Sequence, residues 1–65
     1  MNKQQIRGKW MQIKGKAKQK WGDLTDDDFD RAEGSLDELA GIVEERTGDR
    51  REAVKDELNR IAESV

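Results

Sequence analysis

Apolar residues in the first third of the chain fall at Ile6, Trp10, Ile13, Ala17, Trp21 and Leu24, at spacings of 4, 3, 4, 4 and 3. This is the period of an α-helix, and it predicts a first helix over about residues 3 to 20. Gly22 is placed to cap its C-terminus, and Lys18 and Lys20 sit in the last turn, where cations suit the helix dipole. A second stripe runs through Phe29, Ala32, Leu36, Leu39 and Val43, interrupted by Gly34-Ser35. It predicts a short helix over about 26 to 33 and a third over about 35 to 46, closed by Gly48. Val54, Leu58, Ile61 and Val65 form the stripe of a fourth.

Local capping chemistry sharpens these boundaries. Thr25 followed three residues later by Asp28 is a capping-box pattern with Asp in place of Glu, flanked by Leu24 and Phe29 as a hydrophobic staple. Asp49 with Glu52 predicts a similar start for the fourth helix. The expected architecture is all-α: a compact bundle of four short helices forming a single domain over residues 1–65. The natural arrangement is two packed hairpins, first helix on second and third on fourth. A weak self-similarity at an offset of 26, pairing Gly8 with Gly34, Gly15 with Gly41 and Gly22-Asp23 with Gly48-Asp49, points the same way. The expected core is Ile6, Trp10, Ile13, Ala17, Trp21, Leu24, Phe29, Leu36, Leu39, Val43, Leu58 and Ile61.

Composition narrows the chemistry. The 65 residues include 28 charged side chains against 21 hydrophobic ones, no Cys, no His and no Pro. Without Cys and His there is no disulfide, thiolate or imidazole, and most metal and acid-base chemistries go with them. A domain of this size buries only about 60% of its unfolded surface, so a shielded pocket for paired carboxylates is not expected and the chain reads as non-enzymatic. No cofactor, metal or small-molecule substrate is implied. No apolar run reaches the ~20 residues of a membrane span, and no secretory pattern opens the chain, so a cytoplasmic protein is expected.

The segment from Gly8 to Gly22, containing Gly8-Lys9-Trp10 and Trp21-Gly22, is followed by Leu24-Thr25-Asp26-Asp27-Asp28. Together with Gly34, Leu39, Gly41, Glu45-Arg46 and Gly48, it closely resembles the CsbD-like family of small bacterial stress proteins. The resemblance covers nearly the whole chain. It implies a compact four-helix fold and a place in the general stress response, with no catalytic residues to transfer. Thr47, where the family commonly has an aromatic, and Ile61, near which it has a Trp, depart from the pattern.

Charge is divided sharply. Residues 1–22 carry seven Lys or Arg and no acid, whereas 23–65 carry six against fifteen, so the halves read +7 and −9. On a helical projection two cationic edges border the apolar stripe of the first helix: Lys9, Lys16 and Lys20 on one side, Lys3, Arg7, Lys14 and Lys18 on the other. Its back is neutral, made of Gln4, Gln5, Gly8, Met11, Gln12, Gly15 and Gln19. These seven cations are the candidate polyanion site, able to meet phosphates of nucleic acid or an anionic membrane surface. The favoured alternative is that their stems lie over the core seam and their heads meet acids of the neighbouring helices. Asp26, Asp28 and Asp30 begin a calcium-loop register, but its sixth position is Arg31 instead of Gly and its twelfth is Asp37 instead of Glu. Negative charge at a helix N-terminus accounts for the acidic run.

Gly8, Gly15 and Gly41 fall inside helices, each costing about 0.8–1 kcal/mol relative to Ala. Either the cost is simply tolerated, or a neighbouring helix or a second protomer crowds the backbone, or the fold is deliberately marginal. The latter, with a mean hydropathy of −1.13, resembles the hydrophilin class of desiccation-associated, conditionally folded protectants. A partner-binding role for the neutral face, and a monomer or weak homo-oligomer, complete the expectations. No pattern in the sequence names a partner.

Overall fold

A computed structural model describes the backbone of residues 3–65 and the side chains of residues 8–65. Four helices follow one another: α1 (Lys3–Lys20), α2 (Asp26–Ala32), α3 (Leu36–Thr47) and α4 (Arg51–Glu63). No strand occurs among the described residues. The expected spans of the first three hold to within a residue.

The start of α2 is the capping box read from the sequence. The Asp28 amide donates to Thr25 Oγ1 at 3.3 Å, and the Thr25 amide donates to the Asp28 carboxylate at 3.0 Å. Two successive residues with left-handed backbone, Glu33 (φ 51) and Gly34 (φ 80), then turn the chain. Ser35 caps α3, its Oγ accepting from the Glu38 amide at 3.3 Å. Gly48, at φ 80, closes α3.

Two caps differ from expectation. Gly22 does not take the left-handed conformation, which among the described residues is confined to Glu33, Gly34 and Gly48. The Trp21 amide instead donates to the Ala17 carbonyl, and the Leu24 amide to the Trp21 carbonyl, closing a tight turn without glycine geometry. Asp49 does not cap α4. Its amide is taken by the Thr47 hydroxyl at 3.1 Å, while that hydroxyl donates to the Val43 carbonyl at 2.8 Å. The N-cap is Arg50, with no side-chain cap of its own. The Glu44 carboxylate on α3 reaches across instead and accepts from the Arg51 amide at 3.0 Å. Thr47, where the family pattern places an aromatic, therefore fastens the α3–α4 turn by hydrogen bonds.

The packing order is also corrected. The hairpin α3 on α4 is present, but α1 lies chiefly along α4, and α2 packs on α3. Contact between α1 and α2 runs through side chains such as Trp10 and Phe29, whose rings meet edge-to-face at 6.2 Å. The self-similarity of the halves has no backbone counterpart, since Gly8 is mid-helix and Gly34 is left-handed.

The core is built from Ile13, Ala17, Trp21, Leu24, Phe29, Leu39, Val43 and Leu58, as expected, with Ala32, Ala40, Ile42 and Val54 added. Trp10, Leu36 and Ile61 are only partly buried and pack against its edge. The side chain of Ile6 lies outside the described residues.

Of the three interior glycines, only Gly41 is covered. A Cβ there would meet the Arg51 guanidinium at 3.1 Å, whereas Gly8 and Gly15 have nothing within 4 Å. Crowding within the molecule therefore explains neither of them. Gly15→Ala is expected to raise stability by about 0.8–1 kcal/mol, and Gly48→Ala to lower it by about 1–2 kcal/mol, the cost of a left-handed L-residue. Urea melts of the two variants check both signs.

Candidate functional site

The candidate surface belongs to α1, and its neighbours decide what that surface offers. Docking Ile13, Ala17 and Trp21 into the core turns one cationic edge toward the N-terminus of α2 and the other toward α4. On the first edge, Lys14 and Lys18 converge on the Asp26 carboxylate, at 3.2 and 2.8 Å. On the second, Lys20 pairs with Glu57 at 3.6 Å, and Lys16 donates to Ser64 Oγ at 3.1 Å. The Lys20 ammonium also lies 5.8 Å from the Trp21 ring centroid, within cation–π range. Lys9 is exposed, and the side chains of Lys3 and Arg7 lie outside the described residues.

Of the five candidate cations whose side chains are described, Lys14, Lys16, Lys18 and Lys20 lean aside to α2 and α4. These are surface pairs, screened by solvent, so they guide orientation more than they add stability. Between the two edges the back of α1 is uncharged: Gly8, Met11, Gln12, Gly15 and Gln19 are all exposed, bordered by the exposed Lys9, Lys16, Lys18 and Lys20. Met11, at 70% exposure, is the large hydrophobic residue most open to solvent among those described.

Two carboxylates of the acidic run, Asp26 and Asp28, are engaged within the molecule. The Lys18 ammonium, hydrogen-bonded to Asp26, and then Lys14 hold its carboxyl below the ordinary value of 3.8. Lys55, 2.7 Å from Asp37, does the same there. Asp28 is wholly buried. Burial pushes its carboxyl up, but the Thr25 amide and the Arg46 guanidinium at 3.0 Å outweigh that, and the net displacement is downward. Arg31 adds a contact at 3.6 Å. Sequence reasoning found the cap but missed this burial, because Arg46 lies 18 residues away and nothing local pairs the two.

The surface concavities are shallow and lined by opposite charges. One of about 290 Å³ is bordered by Lys20, Trp21, Arg50 and Glu57. Another of about 330 Å³ is bordered by Arg31, Glu38, Glu45 and Arg51. No helix among the described residues is long and apolar enough to cross a membrane.

The CsbD-like family model matches residues 4–56, which takes in α1, α2, α3 and the start of α4. The chain belongs to this family. A UPF0337 protein of Xanthomonas axonopodis pv. citri is 49% identical over 65 residues, covering all of this chain and 94% of the relative. One from Pectobacterium atrosepticum is 52% identical over 58 residues, 89% of this chain and 84% of the relative. The UPF0337 protein YjbJ of Escherichia coli is 45% identical over the same length, with the same coverage. No solved structure matches the chain. UPF0337 designates a family and specifies no reaction.

Three carboxyls held below their ordinary value fix the response to acid. The unfolded chain binds more protons than the folded one as pH falls toward 3.8, so stability is level above about pH 5 and declines progressively below it. Asp28→Asn keeps an acceptor for the Thr25 amide but loses the pairing with Arg46, and is expected to flatten that decline. Arg46→Met, which strands a buried charge partly relieved by Arg31, should cost about 1–2 kcal/mol at neutral pH, less than the 3–5 of a fully buried pair. Denaturant melts at pH 7 and pH 4 measure both.

Proposed function

We propose that this CsbD-like protein is a non-enzymatic, cytoplasmic component of the bacterial general stress response that acts by protective or protein-interaction contacts. The reading takes the stress role from the family resemblance. The choice of interaction over polyanion capture rests on one observation: Lys14, Lys18 and Lys20 are paired with Asp26 and Glu57 of the same chain. Binding a phosphate backbone would need those cations withdrawn from their acids, and the acidic remainder would repel the same polyanion.

The competing reading, a nucleic-acid or anionic-surface binder using Lys3, Arg7, Lys9, Lys14, Lys16, Lys18 and Lys20, makes the opposite demand. Phosphate contacts are strongest at low ionic strength. Titrations of duplex DNA, RNA and phosphatidylglycerol vesicles in about 50 mM salt are expected to show no saturable binding. Saturable binding whose logarithm falls linearly with the logarithm of salt would overturn the interaction reading.

A second reading, the hydrophilin-like protectant that folds conditionally, draws support from Gly8 and Gly15. Both interrupt the longest helix with open space around them, withholding about 2 kcal/mol of helix stability. Circular dichroism during a thermal melt separates the two. A cooperative transition well above growth temperature removes the conditional-folding account, and a shallow, non-cooperative loss of helix supports it.

A further inference from the structure

Two carboxylates hold α2, and each gathers its cations on a single oxygen. Lys14 and Lys18 of α1 meet Asp26 Oδ1 at 3.2 and 2.8 Å, while Arg46 of α3 and Arg31 of α2 itself meet Asp28 Oδ1 at 3.0 and 3.6 Å. The second cluster sits on the α2–α3 seam, with its carboxylate wholly buried. Its two guanidinium groups come from opposite sides of that seam, and only the anion between them makes their approach favourable. Glu45 of α3 lies 3.8 Å from Arg31 on the outer side. Among the described residues, α4 brings no cation into salt-bridge range of either carboxylate.

The remaining attachments of α2 are few. It packs on α3 and meets α1 through the Trp10–Phe29 ring contact and the Asp26 pairs. Its seven residues are too few to persist as a helix alone. The chain leaves it through Glu33, whose left-handed backbone at φ 51 is strained for an L-residue and relaxes once α2 is unseated.

We propose that α2 is an acid-released latch: protonation of Asp28 turns the clamp across the α2–α3 seam into repulsion between Arg31 and Arg46, and α2 swings out as a unit while α1, α3 and α4 stay packed. The proton that breaks the seam also weakens the cap, because the Thr25 amide donates to the same carboxylate. Protonation of Asp26 releases α2 from Lys14 and Lys18, and strong acid removes the Glu45 anion as well. Phe29 and Ala32, buried in the closed form, then leave the core and uncover the face of α3 beneath them. What stays is the α3–α4 hairpin with α1 along α4. Both carboxyls of the latch are held below 3.8 in the closed form, so closure is complete above that value and is lost as pH falls beneath it. The inference concerns the order in which the fold opens, and stands or falls independently of the interaction reading.

Carbon-13 α shifts, followed by NMR from neutral pH down to about pH 2.5, read each helix separately. Those of Phe29 and Ala32 are expected to lose their helical displacement while those of Ala17, Val43 and Leu58 keep theirs. Asp28→Asn fixes the uncharged form, so it should hold α2 open at neutral pH with the other three helices in place. Adding Arg31→Gln removes one of the two opposed cations and should lower the open-to-closed ratio by about threefold or more, whereas the plain loss of an attractive contact would raise it. The proposal is overturned by a single transition in which all four helices lose their shifts together, by α2 shifts in Asp28→Asn that match the parent at neutral pH, or by an Arg31→Gln change that opens α2 further.

Discussion

The fold turns on one buried carboxylate. Asp28 is fully enclosed, yet it belongs to the first turn of a seven-residue helix too short to persist alone. Its oxygens accept from the Thr25 amide, which fixes where α2 begins, and from Arg46 near the end of α3, which fixes what α2 packs against. A single side chain thus converts a local cap into a tertiary joint. Burial opposes ionisation, and only the surrounding donors keep the carboxylate charged. With those donors in place, Phe29 and Ala32 are presented to Leu39 and Val43 in one orientation. Loss of a donor would leave the group costly where it sits.

A different balance governs α1. Its hold on the bundle comes from Ile13, Ala17 and Trp21, while its cations reach sideways to α2 and α4. The division of the chain into a +7 segment and a −9 segment is in part answered within the molecule: Asp26 and Glu57 receive what Lys14, Lys18 and Lys20 offer. Exposed pairs of this kind contribute little energy. Their consequence is positional, since each lysine drawn to a flank clears charge from the outer face.

What could be read in the sequence was whatever depends on neighbours along the chain. The stripe of α1, the Thr25–Asp28 box and the Gly34 and Gly48 breaks all follow from residues a few positions apart, and all stand in the structure. The failures share the opposite character. Asp49 matched a capping pattern, but Thr47 holds its amide and Glu44, seven residues before Arg51, caps the helix from outside. Ala40 and Ile42 fell off the single stripe assigned to α3, because that helix is packed on two sides, by α2 and by α4, and buries a wider arc than one neighbour would demand. The pairing of α1 with α4 rather than α2 was hidden for the same reason, as periodicity shows which face a helix buries but not which helix covers it. Of the candidate site, the two cationic edges and the neutral back were legible from projection alone, and the direction in which each lysine turns was not.

The glycines carry the remaining tension between stability and use. A small helical domain with no disulfide or metal ordinarily fills its helix interiors with strong helix formers. Gly41 departs from this for a structural reason, since Arg51 lies across its backbone. The same guanidinium extends to the Asp37 carbonyl, so it bridges the α3–α4 seam where a side chain at position 41 would stand. Gly8 and Gly15 have no such cover, and they share their helix face with Met11, Gln12 and Gln19 between the two cationic edges. Local rules broken without internal compensation concentrate where a surface has work to do. On physical grounds, then, the informative part of this molecule is not the cationic edge that composition first draws attention to, but the plain strip of backbone between the two edges.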